Sequence, residues 1–233
     1  EAMGLVGELS WGRMADLVLL TMGVVEGKDL LPGLLLTGKG RRCVVVGLGD
    51  MMAVDAQISI LDLATVFIEQ GHFVQVLGPA AETTPLPDFV VKGGPAFPIA
   101  YNGSVARLSV GPKVTRKVKR FIRDGDFDVL HIHEPNSPSF SMTALAVAHG
   151  PMVATYHASA ANSLILTLAK PLLVPFLEKI RGGIAVSDMA RRWQVEQLGG
   201  DPILIPNGVD TSVYALARKK SQPALADAPL EVV

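Results

Sequence analysis

The chain has 233 residues, 49% of them hydrophobic and 18% charged, with one cysteine and a formal net charge of -1. Such a composition can fill a core for one large domain, or one and a half ordinary ones, and it excludes a disordered chain. Near-neutral charge argues against wholesale nucleic-acid binding. The lone cysteine excludes an intrachain disulfide framework and fits a reducing cytosol.

Residues 1–40 are rich in Gly, Leu and Val but hold no sustained period, and they read as an extension outside the organised domain. Their apolar segment, Leu17 to Leu36, is interrupted by Glu26, Lys28, Asp29 and Pro32. No uncharged run there approaches the ~20 residues needed to span a bilayer. A basic start and a small-residue cleavage site are both missing, so a secretory signal fits poorly. The chain opens at Glu1 without an initiator methionine, and the true start is expected elsewhere.

From Arg41 onward, β-like runs alternate with helical ones. Cys43 to Gly47 is a first strand, with Cys43 as a core thiol. Ile58 to Gln70 places Ile60, Leu61, Ala64, Phe67 and Ile68 at the spacing of an amphipathic helix, and Gly71 can end it. Phe73 to Leu77 is the next strand. Phe89 to Ala100 reads as shorter strands around a Gly93-Gly94 turn. A helix over Lys113 to Asp124 precedes the strand of GDFDVLHIHEPN, Gly125 to Asn136. A helix over Ser137 to His149 leads to a second strand, Pro151 to Tyr156, which ends in His157. The helix Asn162 to Lys179 is expected to bend near Pro171 and Pro175. A strand over Gly183 to Val186, a helix Asp188 to Leu198 capped by Ser187, and a strand over Pro202 to Ile205 complete the pattern, before an Asn207-Gly208 turn. Ser221 to Val233 is Ala/Pro-rich and reads as a loose tail. Strand–helix alternation of this kind predicts an α/β fold with a doubly wound parallel sheet over about 41–216, and a C-terminal tail over 217–233.

Two strand tips carry imidazoles. Val129, Leu130 and Ile132 fit a strand covered on both faces, and His131, His133 and Glu134 fall at its carboxyl end, where open α/β sheets place ligands. As bare sequence, His157 is more readily a satisfied histidine at a sheet edge than a site residue. A zinc site is the sharper reading of His131, His133 and Glu134. The two histidines alternate onto one face, however, and no third convergent ligand is apparent. They are therefore read as strand-tip scaffolding, with no metal. YNGS, from Tyr101, is by itself an ordinary turn, and Arg107 an ordinary surface charge.

Lys113, Arg116, Lys117, Lys119, Arg120 and Arg123 cluster on one helix, interleaved with Val114, Val118, Phe121 and Ile122. Residues three and four apart share a face, so a continuous basic side lies beside an apolar stripe. A solvated face, a nucleic-acid contact and an interfacial helix for anionic phospholipid are the three readings.

The runs FIEQGHFVQVLGP, LPDFVVKGGPAFPIAYNGSVARL, GDFDVLHIHEPNSPS, VATYHAS, IAVSDMARRW and IPNGVD together resemble one family. They are similar to the N-terminal half of the phosphatidyl-myo-inositol mannosyltransferases of actinobacteria, retaining enzymes of glycosyltransferase family 4 with the GT-B fold. The likeness covers roughly Ile58 to Tyr214. It implies a Rossmann-like, acceptor-side domain that moves mannose from GDP-mannose, its donor substrate, to phosphatidylinositol, and it implies no cofactor. His157 matches the family's active-site histidine. Gln57, Tyr101, Asn102 and Arg107 match its acceptor pocket. The basic helix matches the one that docks on the membrane, through Arg116, Lys117, Lys119 and Arg120. The resemblance further implies a cytoplasmic, peripheral protein at the inner face of the cell membrane, with phosphatidylinositol and the anionic surface as partners and no nucleic acid.

Two departures accompany the likeness. Where relatives carry a Gly-Gly pair opening the first helix, this chain has Val54-Asp55, and Leu48 stands at an aromatic position. An aspartate repels a docking phosphate, and Val54 cannot take a positive φ cheaply. A frameshifted or degenerate stretch upstream of Gln57 would give so abrupt a break. The donor-binding signatures expected after Asp210 are also missing, so the C-terminal donor domain is expected in a separate frame or chain, and this chain alone is expected to be inactive. The alternative is a non-catalytic, lipid-docking or degenerate remnant.

Overall fold

The computed structural model describes residues 42–46, 54–101, 104–157 and 164–208, with side chains described over 59–96, 109–157 and 170–208. The predicted extension over 1–40 and the tail over 217–233 lie outside the described residues, as do the side chain of Cys43 and the Leu48 loop.

Nine strands and five helices alternate among the described residues. They are β1 (Arg42–Val46), α1 (Val54–Glu69), β2 (Phe73–Gly78), β3 (Val90–Lys92), β4 (Phe97–Tyr101), β5 (Ser104–Leu108) and α2 (Pro112–Gly125). There follow β6 (Val129–His133), α3 (Phe140–Val147), β7 (Met152–Tyr156), α4 (Leu164–Leu177), β8 (Gly182–Ala185), α5 (Asp188–Leu198) and β9 (Ile203–Leu204). Seven strands form one sheet in the order β3-β2-β1-β6-β7-β8-β9. Every pairing in it is parallel. This is the doubly wound, Rossmann-like order, with its switch point between β1 and β6.

Parallel strands need both faces covered, and the sequence supplies both. On one face α1 lays Ile60, Leu63, Ala64 and Phe67 against Val74, Val76, Val129, Val153 and Ile184. On the other, Val118 of α2 and Phe140, Ala144 and Leu145 of α3 close over Leu77, Leu130, Ile132 and Met152. Alternate residues of β6 therefore serve opposite cores, which is why the whole strand is buried. Among the described residues no helix is long and apolar enough to cross a membrane.

Several boundaries shift from the sequence reading. The first helix begins at Val54 rather than Ile58, so Asp55 falls in its first turn, where a carboxylate favours the helix dipole. Gly93-Gly94 falls between two short strands, as expected, but these enter different sheets. β3 joins the parallel sheet beside β2, whereas β4 pairs antiparallel with β5 in a separate two-stranded sheet. Gly93 marks the departure. Its N–H donates to the Gly78 carbonyl at 2.6 Å, and a Cβ there would lie 2.4 Å from Cζ of Phe140. No other residue fits. The third helix is shorter than expected, starting at Phe140 behind the cap Ser139, whose Oγ accepts from the Ser141 N–H at 3.2 Å. Helix α4 runs through Pro171 and Pro175 without being broken into two elements. Ser187 caps α5 as expected, accepting the Ala190 N–H at 3.1 Å.

Candidate functional site

β6 and β7 run side by side next to the switch point, with His133 paired to Thr155 and His131 to Val153. Alternation puts His131, His133, Thr155 and the following His157 on one face. The rings form a column. His131 and His133 stack with centroids 4.5 Å apart, and His133 and His157 stack at 5.1 Å with planes 20° apart. His131 Nε2 meets Thr155 Oγ1 at 2.8 Å, and His133 Nδ1 meets His157 Nε2 at 2.7 Å. His131 and His133 are each 1% exposed, whereas His157 reaches the partly exposed rim.

Burial makes the inner rings neutral. It pushes His131 down to about 3, aided by the charge His157 would carry, and holds His133 well below the usual imidazole range. Tyr156, beside them, is pushed up by burial and then by the Glu134 carboxylate.

After His133 the chain leaves the strand through Glu134, in the left-handed region at φ 51. For a residue with a Cβ this conformation costs about 1–2 kcal/mol. Three bonds hold it: the Glu134 N–H donates to the Thr155 carbonyl at 2.9 Å, and its carbonyl accepts the Ser137 N–H at 3.0 Å. Its carboxylate accepts the backbone N–H of His157. Glu134 thus ties the tip of β6 to that of β7. Nearby Asn136 is buried, and its Oδ1 has no hydrogen-bond partner among the described residues. No group of three or more His, Cys, Asp or Glu able to hold a metal converges among the described residues.

The match to known proteins falls on this region. The model of Glycosyltransferase Family 4 matches residues 56–213, more than half of the chain. The chain belongs to glycosyltransferase family 4. It is 58% identical to the "Phosphatidyl-myo-inositol mannosyltransferase" of Mycolicibacterium smegmatis over 159 residues, 68% of this chain and 41% of that one. The protein of the same name from Mycobacterium tuberculosis (strain ATCC 25618 / H37Rv) is 56% identical over 163 residues, 70% of this chain and 43% of that one. A third, from Propionibacterium freudenreichii, is 34% identical over 75% of this chain and 48% of its own length. The chain thus spans under half the length of these relatives. A crystal structure of a glycosyltransferase from Rickettsia africae superposes with a TM-score of 0.49 at 11% identity, covering 79% of this chain and 50% of that one.

Within this family 4 domain the expected site residues divide. His157 stands at the carboxyl ends of the central strands, joined to His133 and Glu134. Gln57 belongs to α1, Tyr101 closes β4 and Arg107 pairs with Pro98 across the two-stranded sheet. The side chains of these three, and the whole of Asn102, lie outside the described residues.

The basic helix also divides. Arg116, Lys119 and Arg120 are exposed, as are Lys113 and Arg123, the latter paired with Asp124 at 2.8 Å. Lys117 instead turns inward, its Nζ donating to the Lys92 carbonyl at 2.5 Å. The apolar stripe is occupied too, because Val118 is fully buried and Val114, Phe121 and Ile122 pack on the same core. What α2 offers outward is charge, not an insertable apolar face.

Sequence alone names neither Thr155 as a partner of His131 nor Glu134 as the tie between the two strand tips. One signal was available, since Thr155 lies two residues before His157 and so shares its face.

Proposed function

We propose that this chain is the acceptor-side domain of a phosphatidyl-myo-inositol mannosyltransferase, taking mannose from GDP-mannose with retention at the anomeric carbon. In that reaction the bond from mannose C1 to the GDP phosphate oxygen breaks and one from C1 to an inositol hydroxyl oxygen forms. The hydroxyl proton leaves with the phosphate. A retaining transfer of this kind needs donors held at a developing charge, and fixed groups at strand tips serve it. The observation that carries the reading is the tied pair of strand ends. His157 is bound through its ring to His133 and through its backbone to Glu134, beside the switch point of a family 4 domain.

In this reading Gln57, Tyr101 and Asn102 receive inositol hydroxyls, and the guanidinium of Arg107 clamps the phosphodiester. The exposed cations Arg116, Lys119 and Arg120 hold the domain at the anionic inner face of the membrane, each worth about 1 kcal/mol there. Support comes from the names of relatives at 58% and 56% identity and from the exposed basic face.

Vesicle flotation tests it. The chain is expected to float with phosphatidylinositol vesicles more tightly than with phosphatidylglycerol vesicles of equal anionic fraction, and Arg107→Ala should erase the difference. Equal binding to the two lipids would reduce the protein to a charge-driven membrane binder without an inositol site.

A further inference from the structure

His157 lies one residue past the end of β7, where the backbone ladder to β6 has run out. Leu130, opposite Met152, donates its N–H to the Pro151 carbonyl at 3.0 Å, and Glu134 donates in the same phase to the Thr155 carbonyl at 2.9 Å. Continued, this parallel pattern would send the His157 N–H to the Glu134 carbonyl. That carbonyl is engaged elsewhere. At φ 51 the Glu134 backbone turns off the strand, and its carbonyl accepts the Ser137 N–H at 3.0 Å. The carboxylate of the same residue takes the His157 N–H instead.

We propose that Glu134 is a positioning residue for His157, its carboxylate standing in for the ladder carbonyl that its own left-handed turn withdraws. This inference rests on the reading of His157 as the acting histidine. With that substitution β6 can leave the sheet while β7 stays in register one residue longer. Alternation over the extra residue keeps His157 on the face of His131 and His133, where its ring stacks on that of His133 at 5.1 Å.

The residue type supports the assignment. Two non-glycine residues with positive φ occur among the described residues, Asp126 and Glu134. Asp126 ends α2, an ordinary place for a left-handed residue. Glu134 instead follows a strand, where glycine would make the turn without strain. What glycine lacks is an acceptor that reaches β7. Glu134 is also buried, and a buried carboxylate is costly unless its hydrogen bonds are used. Backbone strain kept at the carboxyl end of a central strand, where open α/β sheets place ligands, points to function rather than to the turn itself. Glu134 touches no reacting group in this scheme. It acts through His157.

Nuclear magnetic resonance of the full chain, labelled with carbon-13 and nitrogen-15, tests it. Wild type is expected to show a scalar coupling across the hydrogen bond from the His157 amide nitrogen to Cδ of Glu134. A coupling to the Glu134 carbonyl carbon instead, or none to Cδ, would overturn the proposal. Glu134→Gly relieves the backbone and deletes the acceptor. The His157 amide should then exchange with solvent at least about tenfold faster, the loss of one charge-assisted hydrogen bond. The Val153 and Thr155 amides, inside β7, should keep their protection, while the His157 ring loses its Overhauser contacts with His133. Glu134→Gln keeps a side-chain oxygen and should restore both. If Glu134 served the turn alone, Glu134→Gly would gain stability and leave His157 unchanged. That result would overturn the proposal, as would Glu134→Gln behaving like Glu134→Gly. Should Glu134→Gly fail to fold, the wild-type coupling decides. None of these readouts depends on sugar transfer or lipid binding. A chain that keeps the tie but shows no preference for phosphatidylinositol would count against the mannosyltransferase reading and not against this one.

Discussion

Acid should unfold this protein earlier than its carboxylates require, and His131 supplies a measurable part of the effect. In the unfolded chain its imidazole titrates at the ordinary 6.5, whereas in the fold it is held down to about 3. Between those values the unfolded state binds a proton that the folded state refuses. Stability is therefore complete above pH 6.5 and falls as pH drops toward 3. The slope is ~1.4 kcal/mol per pH unit, so His131 alone removes about 2 kcal/mol between pH 6.5 and pH 5. His133 adds a loss of the same sign, because burial lowers it too. The perturbation is His131→Leu, which deletes the proton acceptor. Urea unfolding followed through the fluorescence of buried Trp193 gives stability at each pH. Wild type should lose about 2 kcal/mol more than His131→Leu on going from pH 7 to pH 5. Parallel stability curves for the two proteins would refute the buried, neutral column.

Two other outcomes follow from local packing and charge. Gly93→Ala would drive a methyl into Phe140 and the Gly78 carbonyl, at 2.4 and 2.6 Å, and should cost about 1–3 kcal/mol, read as a lowered midpoint of thermal unfolding by circular dichroism. Arg120→Ser should weaken salt-sensitive binding to phosphatidylinositol vesicles by several fold, about 1 kcal/mol. Lys117→Ser should change binding less, because Lys117 is committed to the Lys92 carbonyl. Equal losses from the two substitutions would mean that Lys117 leaves that carbonyl on the membrane.

Much of the fold was legible because its signals are local. Buried runs such as Val129–His133 and Met152–Tyr156, separated by helical periods, specify a parallel sheet before any contact is known. Sheet membership is not local, and for that reason β3 and β4 read as neighbours although they enter different sheets. The start of α1 is less legible, because Val54 and Asp55 stand where relatives carry a phosphate-binding loop, yet they serve as ordinary first-turn residues. Histidines at strand tips were visible in the sequence, but their column was not. It depends on the register that sets His133 opposite Thr155, and on a left-handed Glu134 that no glycine announces. The inward turn of Lys117 is legible in the sequence. It lies three residues after Val114 and four before Phe121, on the border of the apolar face.

In the proposed function Tyr101 and Arg107 receive an inositol phosphodiester and His157 acts beside it. The most direct measurement is a titration of the chain with glycerophospho-myo-inositol, followed by backbone amide shifts. Saturable shifts at Tyr101, Arg107 and His157, absent with glycerophosphocholine, are the result expected. Shifts confined to α2, or identical with both compounds, would contradict it.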